Sequence, residues 1–362
     1  MKTLKLKKPV IAVAGSSGKT TTKEMIASIL KTRWKIYKSA ANRNNRQHMM
    51  KHASQIKPYH RAAVLEFGMS YPGHLRQSCH IIQPNMAIVT MVGTAHIGNV
   101  GGSIAALIKA KSDIIKNMKP TGKLFLNADD RNSRRLNMGH FRGKIIKVGI
   151  NHDADYKAEN VRYIKHGMTF NVQLNQNRHD IFIPIFGEHN VYNALFAIAV
   201  SDQLGFSPEE IKKGLKSYPR PPHRLRIYRL KSGSLLIDDT FNANPNSVKA
   251  AIDVLSHVGH TKNISVLGNM SELGKYSRRG HKEVGRHLAK RNVTNLLTYG
   301  EKARLIGNEA IVHGFPRQNV KHSLTRQRLH RHLKNIVKPG STILVKGSHD
   351  QKMIQTVKYL QK

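Results

Sequence analysis

Residues 15–22 read Gly15, Ser16, Ser17, Gly18, Lys19, Thr20, Thr21 and Thr22, directly after the apolar run VIAVA and directly before the helical pattern KEMIASILK. Those residue types suit the binding of phosphates. Glycine lets backbone amides approach an anion closely, and the helix N-terminus adds donors and a favourable dipole. Lys19 is placed to neutralise β- and γ-phosphate oxygens, and Thr20 or Thr21 to offer a hydroxyl to Mg²⁺. Gly15 and Gly18 enclose only Ser16 and Ser17, a shorter interval than in the common phosphate loop. The stretch is read as a nucleotide site, with ATP as its expected occupant.

Such a loop needs a strand before it and a helix after it, and the remaining chain repeats that rhythm. Apolar segments ending in glycine or a polar residue recur: PVIAVAG (9–15), AAVLEFG (62–68), MAIVTMVG (86–93), GKLFLNADD (122–130) and KIIKVGI (144–150). SLLIDD (234–239), ISVLGN (264–269), LLTYG (296–300) and STILVKGS (341–348) follow. Helical patterns such as TTKEMIASILK and SIAALIKAKSDIIKNM separate many of them. Strands buried on both faces with helical crossovers predict parallel α/β sheets, whose ligands gather at the carboxyl ends of the strands. Between about 151 and 190 the pattern changes to short alternating strands, MTFNVQL and DIFIPIF, which predict a small antiparallel subsheet. The proline-rich SYPRPPHR (217–224) reads as a linker. The expected domains are therefore 1–220 and 221–362.

Composition narrows the classes. The chain has 362 residues, 39% of them hydrophobic, and no apolar run long enough to span a bilayer. The basic start MKTLKLKKPVIAVAG imitates a signal peptide, but its apolar part is short and runs into the phosphate loop. A single Cys79 excludes an internal disulfide and a cysteine zinc cluster, so the cytoplasm is the expected compartment. Sixty-one Lys and Arg against 21 Asp and Glu give a net charge of +40. Charges spread over solvated faces and a polyanionic partner account for that excess equally well. Scattered basic residues and only 6% aromatics argue against dedicated nucleic-acid recognition.

The shortened loop resembles that of the Mur ligases, which join a carboxylate to an amine at the expense of ATP. Further matches run in order along almost the whole chain: NRNN (42–45), VLEFGMSYPG (64–73), VGTAHIGNVGG through IKAKSDI (92–114) and GEHNVYNALFA (187–197). DDTFNANPNS (238–247), LGNMSELG (267–274) and VKGS (345–348) complete the series and most resemble the branch that adds D-alanyl-D-alanine. The resemblance implies a central ATP-binding domain built on a P-loop parallel sheet with an antiparallel subsheet, followed by a Rossmann-like C-terminal domain. It also implies a monomer.

Roles carry over residue by residue. Glu66, ending a buried strand, corresponds to the glutamate that reaches Mg²⁺. His96 and Lys111 match the metal-ligating histidine and the lysine that several members carry as a carbamate, so two Mg²⁺ sites are implied. Chemistry favours the modification, because a carbamate presents oxygens to a hard cation that an ammonium would repel. Asp113 stands where the family usually has Glu. Asn190 and Asn193 open a helix, where amides suit adenine or capping equally; the family match favours Asn193 for adenine. Arg224 matches the phosphate-binding arginine and Asp239 the nucleotide-binding aspartate. Asn45, Asn242, Asn244, Lys346 and Ser348 are the expected substrate contacts, with His281 behind them. The implied reaction activates a carboxylate as an acyl phosphate for attack by an amino acid or dipeptide amine. Peptidoglycan Mur ligases begin with a domain for the acceptor's uridine nucleotide, whereas here the P-loop strand starts at about residue 9, so that domain is expected to be absent. Two alternatives stand beside a cell-wall precursor: a different acidic acceptor, such as a polyanionic polymer or natural-product intermediate, and a nucleotide-dependent nucleic-acid-binding protein.

Overall fold

The computed structural model describes residues 3–362. The chain divides into two compact units, Met1–Pro221 and Pro222–Lys362, and the cut falls within the proline-rich segment.

The first unit is built on seven parallel strands: β1 (Val10–Ala14), β2 (Ile36–Lys38), β3 (Ala62–Glu66), β4 (Met86–Val89), β5 (Lys123–Asn127), β6 (Lys144–Gly149) and β7 (Tyr156–Lys157). Their order is β2-β3-β1-β4-β5-β6-β7. Every residue of β1, β3 and β4 is buried, which explains why these strands read as unbroken apolar runs. The helices are α1 (Lys19–Leu30), α2 (Arg46–Gln55), α3 (His74–Ile81), α4 (Ile104–Asn117), α5 (Glu188–Asp202) and α6 (Pro208–Ser217). From β1 the chain crosses through α1 to β2 in one direction, whereas every later crossover runs the other way. Right-handed crossovers therefore put α1 on one face, where it packs with α5 and α6, and α2, α3 and α4 together on the other. The reversal occurs at β1. Its carboxyl end, where the phosphate loop begins, is the crevice in which open α/β sheets bind ligands.

A separate antiparallel sheet joins β8 (Glu159–Ile164), β9 (Gly167–Leu174) and β10 (Asn177–Ile183) in the order β10-β9-β8. β10 stops one residue before Pro184, which has no N–H to continue the ladder.

The second unit has six strands: β11 (Arg226–Arg229), β12 (Leu235–Asp239), β13 (Lys262–Gly268), β14 (Asn295–Tyr299), β15 (Val320–Ser323) and β16 (Ser341–Lys346). Their order is β11-β12-β16-β13-β14-β15, all parallel except the hairpin partner β11. Helices α7 (Pro245–Val258), α8 (Ser277–Ala289) and α9 (Arg304–Val312) pack together, and α10 (Arg326–Ile336) packs with α11 (Ile354–Leu360). Leu236, Ile264, Val266, Leu297, Ile343 and Val345 form the core between sheet and helices. Five strands lie outside the expected apolar runs: β2, β7, β8, β11 and β15. They are short, and each of them ends a sheet, where polar residues are tolerated. No helix among the described residues is long and apolar enough to cross a membrane.

Candidate active site

The loop between β1 and α1 is shaped by its two glycines. Gly15 has φ +141°, and a Cβ there would lie 1.9 Å from the Thr90 hydroxyl oxygen. Gly18 has φ +84°, and its Cβ would lie 2.3 Å from Asn193 Oδ1. Neither position accepts a side chain, so the backbone passes closely between β4 and α5. The Thr90 hydroxyl donates to the Ser17 carbonyl at 2.6 Å, and Gly93 N–H donates to Ser16 Oγ at 2.9 Å. Gly18 caps α1 without a side-chain acceptor, and no acidic residue occupies the first turn. This is a helix terminus suited to an anion. Lys19 Nζ turns back to the Gly15 carbonyl at 2.9 Å.

Glu66 reaches the same place from the end of β3, which lies beside β1. It is 2% exposed, and both its oxygens are oriented. Thr20 Oγ1 donates to Oε2 at 2.8 Å, and Asn44 Nδ2 donates to Oε1 at 3.0 Å. Lys23, wholly buried one turn along α1, lies 3.9 Å from Oε2 and 3.4 Å from Glu24 Oε1. Its burial lowers the pKa from the ordinary value, against the pull of Glu66 and Glu24. The neighbouring His74 accepts from Ser70 N–H at 3.2 Å, and His96 is near enough to act on it electrostatically. His96 itself has φ +59° at the start of a short 3₁₀ turn, Ile97–Val100. Thr20, Glu66, Asn44, His74 and His96 thus gather beside the phosphate loop.

Lys111, on α4, is 1% exposed. Burial is the main cause, and the Lys19 cation the second, of a pKa lowered to about 7; Asp130 opposes both. An amine so placed is substantially neutral near physiological pH, the form that can react with carbon dioxide. Asp130, after β5, accepts from Val92 N–H at 2.7 Å and from the Ser133 hydroxyl at 2.5 Å, which fixes it next to the loop. Thr20 and Glu66 are hard oxygen donors of the kind Mg²⁺ takes while drawing its other ligands from phosphates and water. Among the described residues no three His, Cys, Asp or Glu side chains form a self-sufficient cation site. A cation here has to complete its shell from the nucleotide, from water or from a modified lysine.

On α5, Asn193 Oδ1 accepts from the Thr22 hydroxyl at 3.1 Å while its amide donates to Asn190 Oδ1 at 2.9 Å. Asn190 donates onward to the Phe186 carbonyl at 2.8 Å. Asn193 therefore faces α1, and Asn190 fastens the entry to its own helix. The adjacent Tyr192 donates to Asp129 at 2.7 Å, and Asp129 also accepts the N–H groups of Ile150, Asn151 and His152.

Among the expected substrate contacts, Asn45 caps α2 by accepting from His48 N–H at 2.9 Å, so its neighbour Asn44 is the member of that stretch that reaches Glu66. In the second unit Asp239 and Lys346 are register partners at the ends of β12 and β16, with Nζ 2.5 Å from Oδ2. Lys346 donates further to the Asn242 carbonyl at 2.8 Å. Asn242 Oδ1 accepts from Ala243 N–H, and Asn244 forms a capping box with Ser247 at the start of α7. The Ser348 hydroxyl accepts from Ser271 N–H at 2.8 Å. His281 is fully buried, with Nδ1 donating to the Ser277 carbonyl and Nε2 accepting from Met270 N–H. Arg224 stacks over Phe241 at 4.0 Å from the ring centre, close to the pair of His223 and buried Asp238. Sequence reasoning singled out neither Asn44, Lys23, Asp130 nor Thr90. All four lie in stretches it quoted, but only the fold separates each from its neighbours.

Comparison with known proteins agrees with this arrangement. Residues 13–201 match the Mur ligase middle domain, and residues 223–349 match the Mur ligase, glutamate ligase domain. The UDP-N-acetylmuramoyl-tripeptide–D-alanyl-D-alanine ligase of Bacillus subtilis is 33% identical over 97% of this chain and 75% of its own length. The ligase of the same name from Escherichia coli is 32% identical over 97% of this chain and 76% of its own. A crystal structure of MurF from Acinetobacter baumannii superposes with a TM-score of 0.89 at 31% identity, over 98% of this chain and 77% of that one. The chain thus spans about three quarters of the length of these relatives. With the shortened phosphate loop and the two sheets in place, it belongs to the Mur ligase family of ATP-dependent acid–amino-acid ligases.

Proposed function

We propose that this chain is a MurF-type ligase, joining the terminal carboxylate of a UDP-N-acetylmuramoyl tripeptide to the amine of D-alanyl-D-alanine. The observation that carries this reading is the buried Glu66, held by Thr20 at 2.8 Å beside a loop shaped for a triphosphate. The relatives that cover most of the chain bear that activity in their names.

The chemistry has two halves. A carboxylate oxygen attacks the γ-phosphorus, the bond to the β-bridging oxygen breaks, and ADP departs from an acyl phosphate. The amine then attacks the acyl carbon, phosphate leaves, and an amide remains. Phosphoryl transfer of this kind depends chiefly on positioning and charge stabilisation. Amides of the phosphate loop and the start of α1 cradle the β- and γ-phosphates. Lys19 exchanges its contact with the Gly15 carbonyl for phosphate oxygen, and Asn193 takes the adenine side. Thr20 and Glu66 would hold one Mg²⁺, and Glu66, His96 and a carbamylated Lys111 a second. Bound there, the ions would neutralise developing negative charge. Arg224 and Asp239 are assigned to the nucleotide, and Lys346 and Ser348 to the acyl or amine side.

The test is ADP release measured across a panel of acceptors and amines, with mass spectrometry of the adduct. Release should require both the muramyl tripeptide and D-alanyl-D-alanine, and the product should gain the mass of the dipeptide less water. Turnover with a different acid, or release stimulated by nucleic acid alone, overturns the assignment.

A further inference from the structure

Lys23 has no part in the reaction just described, yet it is among the largest wholly buried side chains of the described residues. It stands one turn after Thr20 on the same face of α1. Its ammonium donates to the Ser39 carbonyl at 2.9 Å and to the Ala41 carbonyl, two groups on a segment, 39–45, that is neither helix nor strand. Ala41 sits at φ +43°, a left-handed conformation that costs an alanine about 1 kcal/mol and needs outside contacts to persist. The same segment grips Glu66 twice. Ser39 Oγ accepts from Glu66 N–H at 3.0 Å, and Asn44 donates to its carboxylate at 3.0 Å. Glu24 balances the charge, with one oxygen 3.4 Å from Lys23 and the other paired to Lys38 at the end of β2. Packing alone does not account for a lysine here, because a methionine of similar length would be buried at far lower cost.

We infer that Lys23 is a positioning residue for the cation end of the site: its ammonium ties segment 39–45 to α1 and thereby sets the carboxylate of Glu66. The inference rests on the reading of Thr20 and Glu66 as Mg²⁺ ligands. The effect runs from Lys23 directly to Glu66 Oε2, 3.9 Å away, and also through two backbone carbonyls to the segment whose Ser39 and Asn44 hold Glu66. It should govern how strongly Mg²⁺ supports nucleotide binding, while leaving the phosphate-loop amides and Lys19 as they are.

The experiment measures ADP affinity by calorimetry with and without Mg²⁺, and backbone hydrogen exchange over residues 40–45, for the wild type and Lys23→Met. The variant should keep its Mg²⁺-free ADP affinity, lose about 10-fold of the gain that Mg²⁺ confers, and exchange faster over 40–45. A wild type that gains nothing from Mg²⁺ would sink the Glu66 reading and this inference with it. An equal Mg²⁺ gain in both proteins overturns the inference alone. So does a parallel loss of both affinities, which would mark Lys23 as a residue of the fold. If Lys23→Met does not fold, Lys23→Gln is read in the same way, and failure of both to fold likewise overturns the assignment.

Discussion

The phosphate-loop end of the first unit and the strand-end cluster of the second differ in how their charges are satisfied. Around the loop, charged groups converge from several elements, with the buried Lys23 lying 3.9 Å from Glu66 and 3.4 Å from Glu24. Lys19 rests on a backbone carbonyl, Glu66 is held by a hydroxyl and an amide, and Lys111 is buried at a lowered pKa of about 7. At the ends of β12 and β16 the charges cancel internally, with Lys346 against Asp239 and the Asn242 carbonyl. The first arrangement sets the buried Lys111 amine near a second cation, Lys19, a combination that an anionic ligand would offset. The second is complete as it stands, so its residues contribute to stability before they contribute to binding.

The largest expected effect lies at the loop. Lys19→Ala should reduce turnover by about 10³-fold, or about 4 kcal/mol of transition-state stabilisation, with little change in melting temperature. Near-normal turnover would remove the loop from the reaction and erase the contrast.

Lys111→Met sharpens it from the opposite side. Turnover should fall by about 10²-fold, or about 3 kcal/mol, while stability at pH 7 should rise because a costly buried amine is gone. The sign follows from linkage: the unfolded lysine holds its proton up to its ordinary 10.5 and the folded one only to about 7. The unfolded state therefore binds more protons across that window, and wild-type stability rises with pH there. In carbon dioxide-depleted buffer, thermal melts at pH 7 and pH 9 should show the variant's advantage shrinking. An advantage that grows with pH would contradict the buried-amine picture.

Lys346→Met should behave in reverse, lowering stability by about 3 kcal/mol because Asp239 loses its partner. Denaturant unfolding measures this directly. A variant as stable as wild type but inactive would show that Lys346 serves substrate first, and the two regions would then be alike.

The smallest effect should come from Asn45→Ala. Loss of its helix cap should cost about 1 kcal/mol and leave the KM for both acceptor and amine unchanged. A raised KM with unchanged stability would return Asn45 to the substrate.

Much of this architecture was legible in advance. The strands of both sheet centres are apolar on both faces and announce themselves as runs, and the glycine spacing before Lys19 marks the loop. The edge strands β2 and β15 were not legible, because IYK and VKHS carry too few apolar residues to stand out. The site was legible in its chemistry and less so in its neighbours. Asn44 and Asn45 are adjacent residues of one type, yet one meets Glu66 and the other caps a helix. His281 is buried with both ring nitrogens bonded, an outcome that depends on where α8 lies against the loop after β13.

The sequence by itself determined the elements and the kind of site, because backbone propensity, hydrophobic patterning and the steric permissiveness of glycine act over a few neighbouring residues. Only the tertiary structure decided which side chains share an environment. Lys23 and segment 39–45, Lys111 and Lys19, and Asp239 and Lys346 lie far apart along the chain. Their pairing follows from crossover direction and strand register, and their electrostatics from a burial that no local stretch encodes.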